Sequence, residues 1–171
     1  MGDLRVQLKK GRDGPPSLTA IRPDGSRTWS RVHRFFPLHD LLHYTVETTL
    51  GFREAFFGLL AAGWALDDFT APHARARLPA EAGWAENIVG LLDQERARGG
   101  EYDAETFNAG LGAALVDQGW PPWRELAEAE LVAIRRAHRE LAARWQALAP
   151  GEQLELIFAA SASPVRPTRS D

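Results

Sequence analysis

Hydrophobic and polar positions along the chain change their period several times, and each change marks an element. Residues 3–9 alternate, with Leu4, Val6 and Leu8 on one side and Arg5, Gln7 and Lys9 on the other, the period of a strand with one buried face. A Gly/Pro/Asp loop from Lys10 to Pro16 leads to a second strand, Ser17 to Arg22. Pro23-Asp24-Gly25 forms a tight turn, and Arg27 to His33 forms a third strand carrying Trp29 and Val32. The three strands predict an antiparallel meander, which is weakly stable until something covers its apolar face.

Four helical patterns follow that can do so. The first is expected from Pro37, a residue tolerated in a first turn, through Leu60 to a stop near Gly63. A linker with Pro72 and Pro79 leads to a second helix, Ala80 to Arg98, with Trp84, Ile88, Leu91 and Leu92 inward and Gly99-Gly100 ending it. Asp103 reads as the cap of a third helix, which carries Phe107, Leu111 and Leu115 and ends at Gly119 before Pro121-Pro122. The fourth, Trp123 to Leu148, sets Ile134, Leu141, Trp145 and Leu148 on one stripe. After Pro150-Gly151 the alternation returns in residues 152–158, with Leu154, Leu156 and Phe158 on one face, a strand that should rejoin the meander.

The expected fold is therefore α+β: a single domain over residues 1–158 in which a small, mostly antiparallel four-stranded sheet packs against about four helices. Residues 159–171 show no periodicity and read as a disordered tail. The six tryptophans fall on helix stripes and strand faces and are read as core.

Composition narrows the chemistry. With 171 residues, 44% hydrophobic and 25% charged, the chain matches an ordinary soluble domain. No Cys is present, so disulfides, thiolate metal sites and cysteine nucleophiles are excluded, and any metal must be held by His and carboxylates. A cytosolic setting is expected. No stretch is apolar enough to span a membrane, and the first residues carry no export signal. Residues 1–34 hold eight Arg and Lys against three Asp, while the rest hold twelve against twenty. Only Lys9 and Lys10 are lysines, a usage that fits a GC-rich bacterial genome.

One constellation carries chemistry. His39 and His43 stand four apart on the first helix, so both lie on one face, and Glu47 follows one turn later. Two histidines at this spacing converge on a point beside the helix and chelate zinc or another divalent ion. His39 sits in the first turn, where the macrodipole disfavours imidazolium and keeps a lone pair free. The rise of about 1.5 Å per residue puts Glu47 about 12 Å from His39, the edge of reach, and Glu54 about 22 Å away, out of reach unless the helix breaks at Gly51. The expected metal ligands are His39, His43 and Glu47, with His138 as the off-helix candidate, because it lies on the apolar stripe of the last helix. Asp40 is expected to orient an imidazole or to act as base.

The His39-Asp40-x-x-His43 pattern resembles the zinc-ligand motif of a ubiquinone-biosynthesis family with His-Asp-x-x-His and a later glutamate. That glutamate stands one place beyond Glu54, where this chain has Ala55. The resemblance covers about five residues and implies a metal site and nothing about quinones. The segment from Phe35 through Glu47 also resembles a small uncharacterised bacterial family, which supplies no function.

Neighbouring signatures fit less well. A metalloprotease helix needs Glu after the first histidine, where Asp40 stands here, and an HD phosphohydrolase needs an upstream helical histidine, where strands are read. The expected function is a divalent-metal site on a central helix, with hydrolysis of a small molecule as the reaction. The alternative is a non-catalytic protein- or nucleic-acid-binding module using Arg5, Lys9, Arg22, Arg27, Arg31, Arg34 and Trp29 on the sheet. Nucleic acid is the less favoured partner because the chain is acidic overall and lacks an RNA-recognition aromatic motif. A homodimer formed through the helices is a further option.

Overall fold

A computed structural model describes residues 2–33 and 36–160. Arg34 of the basic set, and the expected tail from Ser161 on, lie outside the described residues. Four strands, β1 (Leu4–Lys9), β2 (Ser17–Ile21), β3 (Arg27–Arg31) and β4 (Gln153–Phe158), form one antiparallel sheet in the order β3-β2-β1-β4. The last strand pairs Val6 with Leu156, so the chain returns to its own start, as the alternation predicts. Five helices accompany the sheet: α1 (Phe36–Leu50), α2 (Phe56–Ala61), α3 (Ala80–Arg98), α4 (Ala104–Asp117) and α5 (Glu128–Ala147). No helix among the described residues is long and apolar enough to cross a membrane.

The strands bury one face, as their period requires. Leu4, Val6, Leu8, Leu18, Leu154 and Phe158 pack against Leu41 of α1, Phe57 and Leu60 of α2, and Leu141 and Trp145 of α5. A second core lies among the helices, where Leu42 and Val46 of α1 meet Ile88, Val89, Phe107, Leu111 and Ile134. Helix α1 thus lies between the two cores and feeds both. Its remaining arc, about 100° wide, carries His39, Asp40, His43 and Glu47.

Two helices depart from the expected bounds. The first was expected to run unbroken to Leu60, but α1 stops at Leu50 and α2 begins at Phe56. Gly51 adopts a left-handed φ of 74°, and the chain reverses there with Phe52 N–H donating to the Glu47 carbonyl at 2.9 Å. The apolar spacing of Phe52, Phe56, Phe57, Leu59 and Leu60 hides this break, because a glycine inside a helix costs only about 1 kcal/mol. The fourth was expected from Trp123, but α5 starts at Glu128. Asn108 fastens the extended segment before it, donating to the Leu126 carbonyl at 2.9 Å and accepting the Leu126 N–H at 2.8 Å. Trp29 is 61% exposed on the outer face of β3, which corrects its reading as core. Asp103 caps α4 by accepting the Thr106 N–H at 2.8 Å.

The helical layer is pinned by one buried ion pair. Arg135 of α5 donates to Glu95 of α3 at 2.6 and 3.1 Å, and both side chains are 5–6% exposed. Glu95 also accepts the Tyr102 N–H, and Arg135 donates to the Tyr102 carbonyl, so the α3–α4 loop joins the network. Glu95→Ala strands a buried guanidinium and is expected to destabilise the fold by about 3–5 kcal/mol in urea unfolding. The double variant Glu95→Leu/Arg135→Met is expected to recover most of that loss. A single variant within about 1 kcal/mol of wild type would show the pair to be dispensable.

Candidate metal centre

A cavity of about 600 Å³ opens between the end of β3, α1, α2, α3 and the loop after α2. Phe36, Phe56, Phe69 and Trp120 form much of its apolar wall, and His39, Asp40, His43 and Glu86 its polar side. Trp120 lies flat on α3 at Gly83, where any Cβ would collide with the indole.

Helix α1 presents the two histidines one turn apart, with ring centroids 4.9 Å from each other. His39 Nδ1 is hydrogen-bonded to Asp93 Oδ2 at 2.7 Å, and Arg96 donates to the other oxygen of Asp93. His43 Nδ1 faces Glu47 Oε1 at 3.7 Å, too far for a hydrogen bond, while its Nε2 stands 3.2 Å from Glu86 Oε2. His39, His43 and Glu86 each offer a ligand atom, and these atoms lie within 4.8 Å of one another. Glu86 is 62% exposed and can swing, whereas the His43 side chain is 7% exposed. Four-coordinate zinc with bonds of about 2.1 Å needs donors about 3.4 Å apart, so closing the group requires a side-chain movement of about 1 Å.

Four carboxylates, those of Asp40, Glu47, Glu86 and Asp93, surround the two imidazoles, and the charge balance shows in their titration. Burial alone would lower the His43 pKa, but Glu47 and Glu86 overcome it and raise the imidazolium to about 10. Burial pushes Asp40 up to about 6, against the opposing pull of His43 and His39. Glu47 is also raised by burial, while the contact with His43 holds Glu86 below the usual carboxylate range. Burial works against Asp93 as well, yet His39 and Arg96 bring it below its ordinary value. Asp40 Oδ2 and His43 Nδ1 are buried without a hydrogen-bond partner among the described residues.

The sequence-derived residues divide accordingly. His39 and His43 come together as the helical spacing requires, and Asp40 borders the same cavity. Glu47 is not one of the three clustered ligand atoms: its carboxylate accepts the Phe57 N–H at 2.9 Å and the Gly58 N–H at 3.3 Å, which caps α2. Glu54 is exposed beyond the break at Gly51. His138 stays outside the group; its Nε2 donates to the Leu38 carbonyl at 3.1 Å and ties α5 to the first turn of α1. Glu86 and Asp93 were missed. They stand seven apart on the expected helix 80–98, hence on one face, but nothing in the sequence says that this face meets His39.

Comparison with family models, with curated proteins and with solved structures gives no match. The chemistry of the centre is read from its own geometry.

His138 provides a pH test of this placement. Burial lowers its pKa from 6.5, so the folded state resists the proton that the unfolded chain accepts. Its contribution to stability is complete above pH 6.5 and is lost as the pH falls through the lowered folded value. His138→Gln keeps a donor for Leu38 and removes the titration. Denaturant midpoints between pH about 7 and 5 are expected to fall less steeply in the variant. Parallel curves would place the imidazole in solvent.

Proposed function

We propose that His39, His43 and Glu86 hold a divalent cation of the zinc type at the mouth of the cavity, and that the protein is a metal-dependent hydrolase of a small molecule. The observation that carries this reading is the cluster of His39, His43 and Glu86, whose ligand atoms lie within 4.8 Å of one another. Asp93 is hydrogen-bonded to Nδ1 of His39, so Nε2 of that ring is the nitrogen left for a ligand, while Nε2 of His43 stands 3.2 Å from Glu86, the third member of the cluster. A backing carboxylate such as Asp93 fixes the tautomer of a metal-ligating imidazole and raises its basicity. Three protein ligands leave a further coordination position open, the arrangement of catalytic rather than structural sites.

A bound divalent ion supplies Lewis acidity toward a substrate oxygen. The chain supplies the rest. Asp40, which lines the cavity and has a pKa of about 6, is ionised at neutral pH and suited to accept the proton of an attacking water. Phe36, Phe56 and Phe69 shield the cavity from bulk solvent and offer an apolar wall to the substrate.

Elemental analysis of untagged protein, with thermal unfolding in chelator and in added zinc, tests the reading. About one equivalent of metal is expected, with a higher unfolding temperature when zinc is present, since a ligand of the native state alone stabilises it. His39→Ala/His43→Ala should abolish both effects. Asp93→Asn should weaken metal affinity about tenfold or more. Asp40→Asn should keep the metal and lose turnover. Metal-free protein indifferent to zinc, or a double variant with full metal content, overturns the proposal.

A further inference from the structure

The outer face of the sheet carries a second feature, independent of the metal centre. Strand register sets its side chains in three rows: Arg27, Ile21, Arg5 and Ile157; Trp29, Thr19, Gln7 and Glu155; Arg31, Ser17, Lys9 and Gln153. Arg27 and Arg31 on β3 and Arg5 and Lys9 on β1 therefore mark the corners of a rectangle of about 10 by 13 Å. Trp29 stands midway along one side of it and is 61% exposed.

These cations are not neutralised by neighbouring carboxylates among the described residues. Elsewhere Arg96, Arg124, Arg135 and Arg139 are paired with carboxylates. Arg5, Lys9, Arg12, Arg27 and Arg31 have no ion-pair partner among the described residues. Glu155, the one acid in the three rows, accepts a hydrogen bond from Gln7. Arg22, expected on this face, instead donates to the Leu60 and Trp64 carbonyls and is structural.

Beside Trp29 the face is concave. A cavity of about 570 Å³ lies between Trp29 and the loop from Lys10 to Pro15, with Lys9, Arg12 and Arg31 on its walls and Asp13 at its rim. Lys10 anchors the start of this loop. Lys10 N–H donates to the Glu152 carbonyl, Gly151 N–H donates back to Lys10, and the Lys10 ammonium binds the Trp145, Gln146 and Leu148 carbonyls at the end of α5. One end of the hollow's wall is thereby anchored, and its size suits a small organic group.

We propose that this face binds single-stranded nucleic acid, with one base stacked on Trp29 in the hollow and the backbone phosphates following Arg31, Lys9, Arg5 and Arg27. A flat aromatic flanked by unpaired cations is the chemistry of single-strand recognition, and stacking requires a base that is not already stacked in a duplex. A lipid surface would call for a protruding apolar tip, whereas here the aromatic borders a depression. Arg31 lines both cavities, so a strand on the sheet passes the mouth of the metal centre.

Fluorescence anisotropy of a labelled oligothymidylate of about 20 nucleotides, in chelator, tests the proposal without reference to the metal. Binding is expected at low salt, with log K falling against log salt by about 0.7 for each phosphate contact. Trp29→Ala should weaken binding about tenfold with the salt slope unchanged. Arg5→Gln/Arg27→Gln should flatten the slope by about 1.4, and Arg136→Gln on the far side should change nothing. All these side chains lie outside the core, and thermal unfolding confirms the fold of each variant. No binding at low salt, equal binding by wild type and Trp29→Ala, or capture by anionic phosphatidylserine vesicles in place of the oligonucleotide overturns it.

Discussion

The carboxylate of Glu47 is the point on which the rest of the structure depends. It is fully buried, yet it is engaged on two sides. Two backbone amides of α2 donate to it, and the His43 imidazole stands beside it. Those contacts hold α2 against α1 after the reversal at Gly51, and α2 brings Phe57 and Leu60 onto the sheet. One side chain thereby links the sheet core to the ring that faces the cavity. Without it the Phe57 and Gly58 amides would be buried and unsatisfied, a cost of about 1–3 kcal/mol for each group.

The same carboxylate sets the electrostatics of the centre. With Glu47 behind His43 and Glu86 in front, the ring keeps its proton to about pH 10, although burial opposes the charge. A divalent ion and that proton compete for one place. The centre with His43 protonated is a compact ion-pair network, and a divalent ion held there would replace that proton and add one further positive charge among the four carboxylates. On the proposed reading Glu86, the exposed member, would take up most of the adjustment.

Much of this was legible in the sequence, and what was not has a physical cause. Alternation in residues 3–9 and 153–158 gives strands because one sheet face is dry, and α3 and α4 end or begin at glycine and aspartate signals that act locally. The His39/His43 pair follows from helical spacing alone. The break at Gly51 does not, since the apolar period continues across it and the capping of α2 by Glu47 is a contact between elements. Glu86 and Asp93 were hidden for the same reason: which face of α3 meets α1 is decided by Ile88, Val89 and Leu92 packing on Leu42 and Val46, a matter of tertiary fit. Glu47 was placed on the correct face and read as a ligand at the edge of reach, but its carboxylate is taken up by the Phe57 and Gly58 amides, a contact that spacing along α1 does not reveal.

The polar arc of α1 bears on function independently of any ligand. Asp40, His43 and Glu47 occupy positions between two hydrophobic cores, and leucines of similar size there would join Leu41, Leu42 and Val46 in a continuous apolar helix. Buried ionic groups are generally no more stabilising than well-packed hydrophobic replacements and are often less so by about 1–4 kcal/mol. Asp40 makes the case most clearly, because one of its oxygens is buried with no partner among the described residues and its pKa is displaced to about 6. A fold assembled for stability alone has no use for that atom at that place. The residue lines the cavity beside His39 and His43, and strongly shifted groups in a cleft are the mark of a functional site, which is where stability is commonly given up.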